Sequence, residues 1–290
     1  VLQGERVLAG GGGQSYAAAE VRRLDPDRFL TALFAPVPAR EDLLALYAFN
    51  LEVARIAELV SEPMVGEIRL QWWREAVEGI YKGNTRRHEV VEALAAAIDR
   101  AALPHAVFDR LIETRFQDLD ENPPATLDEF IAYAEGTSST LSELAVRLLA
   151  KDAGPEALLA ARRAGLGWAL CGILRAIPFH GAQGRVLLPL DLLAAHNVDP
   201  HDILHGRSPE GLKEIVKIIH GQAVTALQAA RALKDHVPKA AVPALLPVTL
   251  ASGYLKALAR AGFDPFSVNY DRGAGPRRLA LIVNGLSGRF

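Results

Sequence analysis

A chain of 290 residues, half of them hydrophobic and 23% charged, has ordinary globular composition and enough material for one large core. A net charge of −2 gives no global reason to expect nucleic acid or an anionic membrane as partner. The single cysteine, Cys171, excludes an intramolecular disulfide framework and fits a reducing compartment.

Residues 1–20 contain a glycine run and lack the basic, apolar and small-residue order of a signal peptide. They are expected to form a flexible tail ahead of one domain over 21–290. From Arg40 to Glu62, "REDLLALYAFNLEVARIAELVSE" sets Leu43, Leu44, Tyr47, Leu51, Ala54 and Glu58 along one helix face. "VGEIRLQWWREAVEGIYKG" repeats the pattern through Leu70, Trp73, Val77 and Ile80, with Gly83 placed to cap its end. Helical spacing returns at 87–101, 105–118, 127–149 and 155–177, and again at 208–235, 240–262 and 276–286.

Thr126, with Glu129 three residues on, makes a capping box for the 127–149 helix. "DLDENPP", with Asp118 and Asp120, reads as a solvated helix end. Cys171, inside an apolar run, reads as a small core residue. Pro178 is expected to stop the 155–177 helix and leave His180 in a turn beside Gly181. The only strand-like segment, "RVLLPL", has Pro189 in the way of a central strand. The longest apolar stretch, "AAVPALLPVTLASGYLKALA", is interrupted by Pro243 and Pro247, so no bilayer-spanning segment is expected. The reading is a single all-α domain with its ligand site between helices. Cytoplasmic placement is expected, with at most peripheral contact at the inner membrane.

Three segments together resemble the squalene/phytoene synthase family: "LYAFNLEVARIAELVSE", "YAEGTSSTL" with its approach, and "GILRAIPFHGAQGRVLLPLDLL". The resemblance covers about residues 25–265. It implies an isoprenoid-synthase-type helical bundle around a central cavity. It also implies condensation of two prenyl diphosphates, with magnesium held by two D-x-x-x-D motifs. Residues four apart share one helix face, so such carboxylates can hold hard cations together.

Carried over by position, the first motif falls on Ala54 and Glu58, and the second on Ala176 and His180. One of four carboxylates is left. Alanine has no oxygen to offer, and histidine prefers softer metals than magnesium. No catalytic residue is therefore assigned, no metal site is expected, and magnesium would enter only if the chain were a divergent prenyltransferase. The resemblance supplies Tyr47, Tyr133, Glu135, Thr140 and Tyr254 as candidate ligand-binding positions. Arg175 and Arg185 join them as two cations beside a glycine-rich turn that could hold an anion.

A subgroup fits this pattern better than the synthases do. "YAFNLEVARIAELVSEPMVGEIRLQWWREAVEGIYKG" and "LRAIPFHGAQGRVLLP" are similar to a phytoene-synthase-like assembly factor of respiratory complex I, found in mitochondria. The resemblance implies a non-catalytic protein that binds an isoprenoid or lipid, or a respiratory-complex subunit. Two rival readings are a condensing transferase acting on farnesyl or geranylgeranyl diphosphate and a peripheral membrane adaptor.

Overall fold

The structure, a computed structural model, describes residues 14–120 and 122–290. Most of the expected flexible tail lies outside the described residues, but Tyr16–Glu20 do not fit it. They belong to helix α1 (Tyr16–Leu24), whose N-terminus is capped by the Ser15 side chain and which buries Ala17, Ala18 and Val21. Asp25 then caps α2 (Pro26–Ala32), and α3 (Val37–Ala54) is the most buried element of this half. The helix expected over 40–62 is broken at Arg55. The short α4 (Ile56–Leu59) follows, and α5 (Pro63–Tyr81) begins on a proline suited to a first turn. Gly83, at φ +73°, takes the left-handed position expected of it just past that helix.

Next come α6 (Glu89–Ala101) and α7 (His105–Arg115), the latter running into a single 3₁₀ turn at Phe116–Leu119. The capping box opens α8 (Leu127–Ala134) as expected. The Thr126 hydroxyl accepts from the Glu129 N–H at 3.2 Å, and the Glu129 carboxylate accepts from the Ala125 N–H at 2.9 Å. The periodicity over 127–149 hides an interruption. Glu135–Ser139 form a π turn before α9 (Thr140–Leu149) resumes. Hydroxyls loosen the ladder there: Thr137 donates to the Tyr133 carbonyl and Thr140 to the Glu135 carbonyl.

The central element is α10 (Pro155–Ala182), which packs against α9, against α13 (Glu210–Ala232) and against α15 (Pro247–Arg260). It does not stop at Pro178. The helix runs through that proline to Ala182, and His180 stands in its last turn rather than in a loop. Packing overrides the local preference. Gly181 lies so close to the Ile203 carbonyl that a Cβ would approach it to 2.8 Å, pinning the end of α10 on α12 (Pro200–Leu204). Cys171 is buried on this helix as a free thiol, and burial pushes its pKa up to about 12. It is a core residue.

Three short helices, α11 (Leu190–Ala195), α12 and α14 (Val242–Leu245), and the final α16 (Ala274–Ser287) complete the bundle. Among the described residues there is no strand, and "RVLLPL" is irregular chain leading into α11. By length and composition, α10 and the stretch Lys239–Arg260 are apolar enough to cross a bilayer, contrary to the expectation from the prolines. Their most apolar windows are 61% and 78% buried against the other helices, as expected for the central helices of a bundle.

Candidate functional site

A cavity of about 530 Å³ opens between the end of α3, α4, the 3₁₀ turn, α8 and the last turns of α10. That volume is in the range of small-molecule sites. Phe130, Ile173 and Leu187 supply apolar wall, and Arg115, Asp118, Tyr133, His180 and Arg185 supply the polar end.

The polar end is built around Asp118. Its carboxylate accepts from the Tyr133 hydroxyl at 2.5 Å and from the Arg115 guanidinium at 3.1 Å. The same Arg115 nitrogen donates to the Tyr133 oxygen at 3.0 Å, and Arg185 donates to the Asp118 carbonyl at 3.1 Å. Asp118 is therefore no solvated helix end; it is mostly buried and paired. The 3₁₀ turn brings it back toward Arg115, three residues earlier. Burial pushes the Tyr133 phenol well above its ordinary range, so it stays protonated and donates. Burial works against the Arg115 charge, but Tyr133 and Asp118 outweigh it and the guanidinium stays cationic.

Two polar atoms here lack partners: the Arg115 Nε and the His180 Nδ1 are both buried and unbonded. Burial, helped by the nearby Arg185 charge, lowers the His180 pKa, so the imidazole is neutral around pH 7. The site thus offers two guanidinium groups, one of them tied to a carboxylate, and a neutral imidazole. The unsatisfied, buried Arg115 Nε–H marks a place where a ligand oxygen can be bound.

The seven candidate ligand residues do not converge. Tyr133 and Arg185 line the cavity. Tyr47 is buried in the core beneath the Arg28 guanidinium, away from the cavity wall. Glu135 and Thr140 line a different groove, with Arg162 and Arg163, and Glu135 faces Arg163 at 3.9 Å. The π turn sends Glu135 to that side. Arg175 and Tyr254 meet over Asp27: the guanidinium lies 3.3 Å from its carboxylate and the Tyr254 hydroxyl donates at 2.9 Å. Arg175 also stacks on the Tyr254 ring at 3.6 Å. Asp191, at the start of α11, accepts from the Leu127 N–H at the start of α8.

Three of the four motif positions, Ala54, Glu58 and His180, border the cavity. Glu58 is exposed and 3.8 Å from Arg55. Ala176 lies between Ile173 and His180 on the same face of α10 by helical spacing. Among the described residues no three His, Cys, Asp or Glu side chains gather as a metal site. Of the carboxylates that border the cavity, Asp118 is engaged by Arg115 and Tyr133 and Glu129 by the Ala125 N–H, an arrangement unlike the near-octahedral oxygen cage that magnesium demands. Arg115, which the sequence reading passed over, is the residue that organises the site. Its signal was the Arg115–Asp118 spacing, the reach of one helical turn.

The fold is of the all-α isoprenoid synthase type. It superposes on a solved dehydrosqualene synthase with a TM-score of 0.82, over 94% of each chain at 16% identity. The sequence places it more finely: the squalene/phytoene synthase family model matches residues 21–281, and the chain belongs to that family. It is 31% identical to the Bos taurus "NADH dehydrogenase (ubiquinone) complex I, assembly factor 6", covering all of this chain and 88% of that one. It is 29% identical to the phytoene synthase of Thermus thermophilus, over 90% of this chain and 89% of that one.

Proposed function

We propose that this protein is a non-catalytic member of its family that serves the assembly of a respiratory NADH dehydrogenase complex and uses its cavity to bind an isoprenoid-type lipid. The observation behind this reading is the donor set. Where two carboxylate pairs would hold the cations that draw off a diphosphate, the four motif positions carry Ala54, exposed Glu58, Ala176 and His180, and the mostly buried carboxylate of the cavity, Asp118, is already paired with Arg115. Ionising an allylic diphosphate without such cations leaves a departing polyanion uncompensated. The similarity to complex I assembly factors supports the assembly role. The apolar wall ending in Arg115, Tyr133 and Arg185 suits an isoprenoid with a polar, oxygen-bearing head.

The test is direct. The purified chain is incubated with farnesyl or geranylgeranyl diphosphate and magnesium, and organic extracts are analysed by mass spectrometry. No hydrocarbon product is expected. Turnover that Glu58→Gln abolishes would overturn the reading. Native mass spectrometry of protein from its own host should show a retained lipid or a bound subunit of the complex.

A further inference from the structure

The last helix is amphipathic in the wrong direction for a bundle. On α16, Leu279, Ile282, Val283 and Leu286 follow the i, i+3, i+4, i+7 spacing of a single stripe. They are 62%, 47%, 56% and 79% exposed. The inward face holds the polar groups. Asn284 donates to the Thr249 hydroxyl at 2.9 Å, and Arg277 donates to the Tyr270 carbonyl while stacking on the Tyr254 ring. Leu281 is the one buried residue of the helix, and Gly285 lies against the Phe34 ring. The helix is thus held on the bundle by polar anchors while its apolar stripe faces outward.

Charge tells what such a face fits. From residue 272 to 290 the chain has Arg272, Arg277, Arg278 and Arg289 and no Asp or Glu, in a protein whose net charge is −2. Asp271 sits just ahead of the first of them. Arg272, Arg278 and Arg289 are exposed. An apolar stripe flanked by arginines and free of acids matches an interface with anionic headgroups outside and acyl chains within. We propose that the outer face of α16 binds the surface of an anionic phospholipid bilayer.

Co-sedimentation of the whole chain with vesicles tests this. Binding is expected to phosphatidylcholine vesicles containing about 30% phosphatidylglycerol, not to phosphatidylcholine alone, and to weaken about tenfold at about 0.5 M salt. The double variant Ile282→Asp with Leu286→Asp, altered only at exposed positions, should lose vesicle binding about tenfold or more while melting at the wild-type temperature. Failure of the wild type to bind anionic vesicles overturns the proposal, as does undiminished binding by the folded double variant. A wild-type dimer in light scattering that the same variant makes monomeric also overturns it, since the face then belongs to a second copy. The proposal is separable from the assembly reading: hydrocarbon production refutes that reading alone, and indifference to vesicles refutes this one alone.

Discussion

Tyr133 donates to a carboxylate that already has an arginine, and this redundancy lets the two substitutions at the site be ranked. Tyr133→Phe removes one hydroxyl from the triangle and leaves Arg115 and Asp118 paired, so it should lower stability by about 1 kcal/mol. Asp118→Ala strands the mostly buried Arg115 and should cost about 3 kcal/mol. Urea denaturation of both variants gives the order, and equal losses would mean that the charge pair is not what the tyrosine supports. Histidines set a second expectation. Burial lowers the folded-state pKa of His180 and of His220, whose Nε2–H donates to the Leu255 carbonyl. Above about pH 6.5 both states are neutral and nothing is gained. As pH falls below that value the unfolded imidazoles take up protons that the folded ones resist, so stability declines. The melting temperature should drop between pH 7 and about 5.5, and His180→Gln and His220→Gln should each flatten part of that slope. A slope unchanged in both variants would assign the decline to other groups.

At the level of elements, the three- and four-residue spacing of apolar positions made most of the long helices legible, with ends misplaced where a local preference met packing. Pro178 is the plainest case: it should end a helix, yet α10 continues because Gly181 and Ile203 fit together beyond it. The π turn at Glu135–Ser139 was invisible because periodicity resumes after it, and α2, α11 and α12 are too short to show a period at all. Two glycines of α10 measure how tightly this helix is held. A Cβ on Gly165 would lie 2.5 Å from the Ser138 carbonyl oxygen and the Ser139 Cα, both backbone atoms that cannot swing away. One on Gly172 would meet nothing within 4 Å. Gly172→Ala should therefore stabilise by about 0.5–1 kcal/mol through helix propensity, whereas Gly165→Ala should destabilise by about 2 kcal/mol. Opposite signs in thermal melts are the expected outcome. A neutral Gly165→Ala would show that α10 and the π turn can separate freely.

For the molecule as a whole, the sequence disclosed the degenerate motifs but not the polar triangle beside them, because Arg115 and Tyr133 are eighteen residues apart and meet only through the turn at Asp118. At the motif positions the chain has neutral Ala54, Ala176 and His180 beside Glu58, and this changes what holds that end of the molecule together. Four carboxylates facing one another repel until a divalent cation joins them, whereas Ala54, Ala176 and neutral His180 need no such ion. The wild-type melting temperature should consequently shift by no more than about 1 °C in about 5 mM magnesium. The variant Ala54→Asp/Ala176→Asp/His180→Asp, which restores acids beside Glu58, should melt lower than wild type without magnesium. It should recover as the ion is added, because a ligand that binds only the folded state raises its stability in proportion to the logarithm of its concentration. Scanning fluorimetry across a magnesium series reads both arms. A wild-type chain stabilised by several degrees would mean that Glu58 and the backbone around it already hold the cation, and the non-catalytic reading would lose its physical basis.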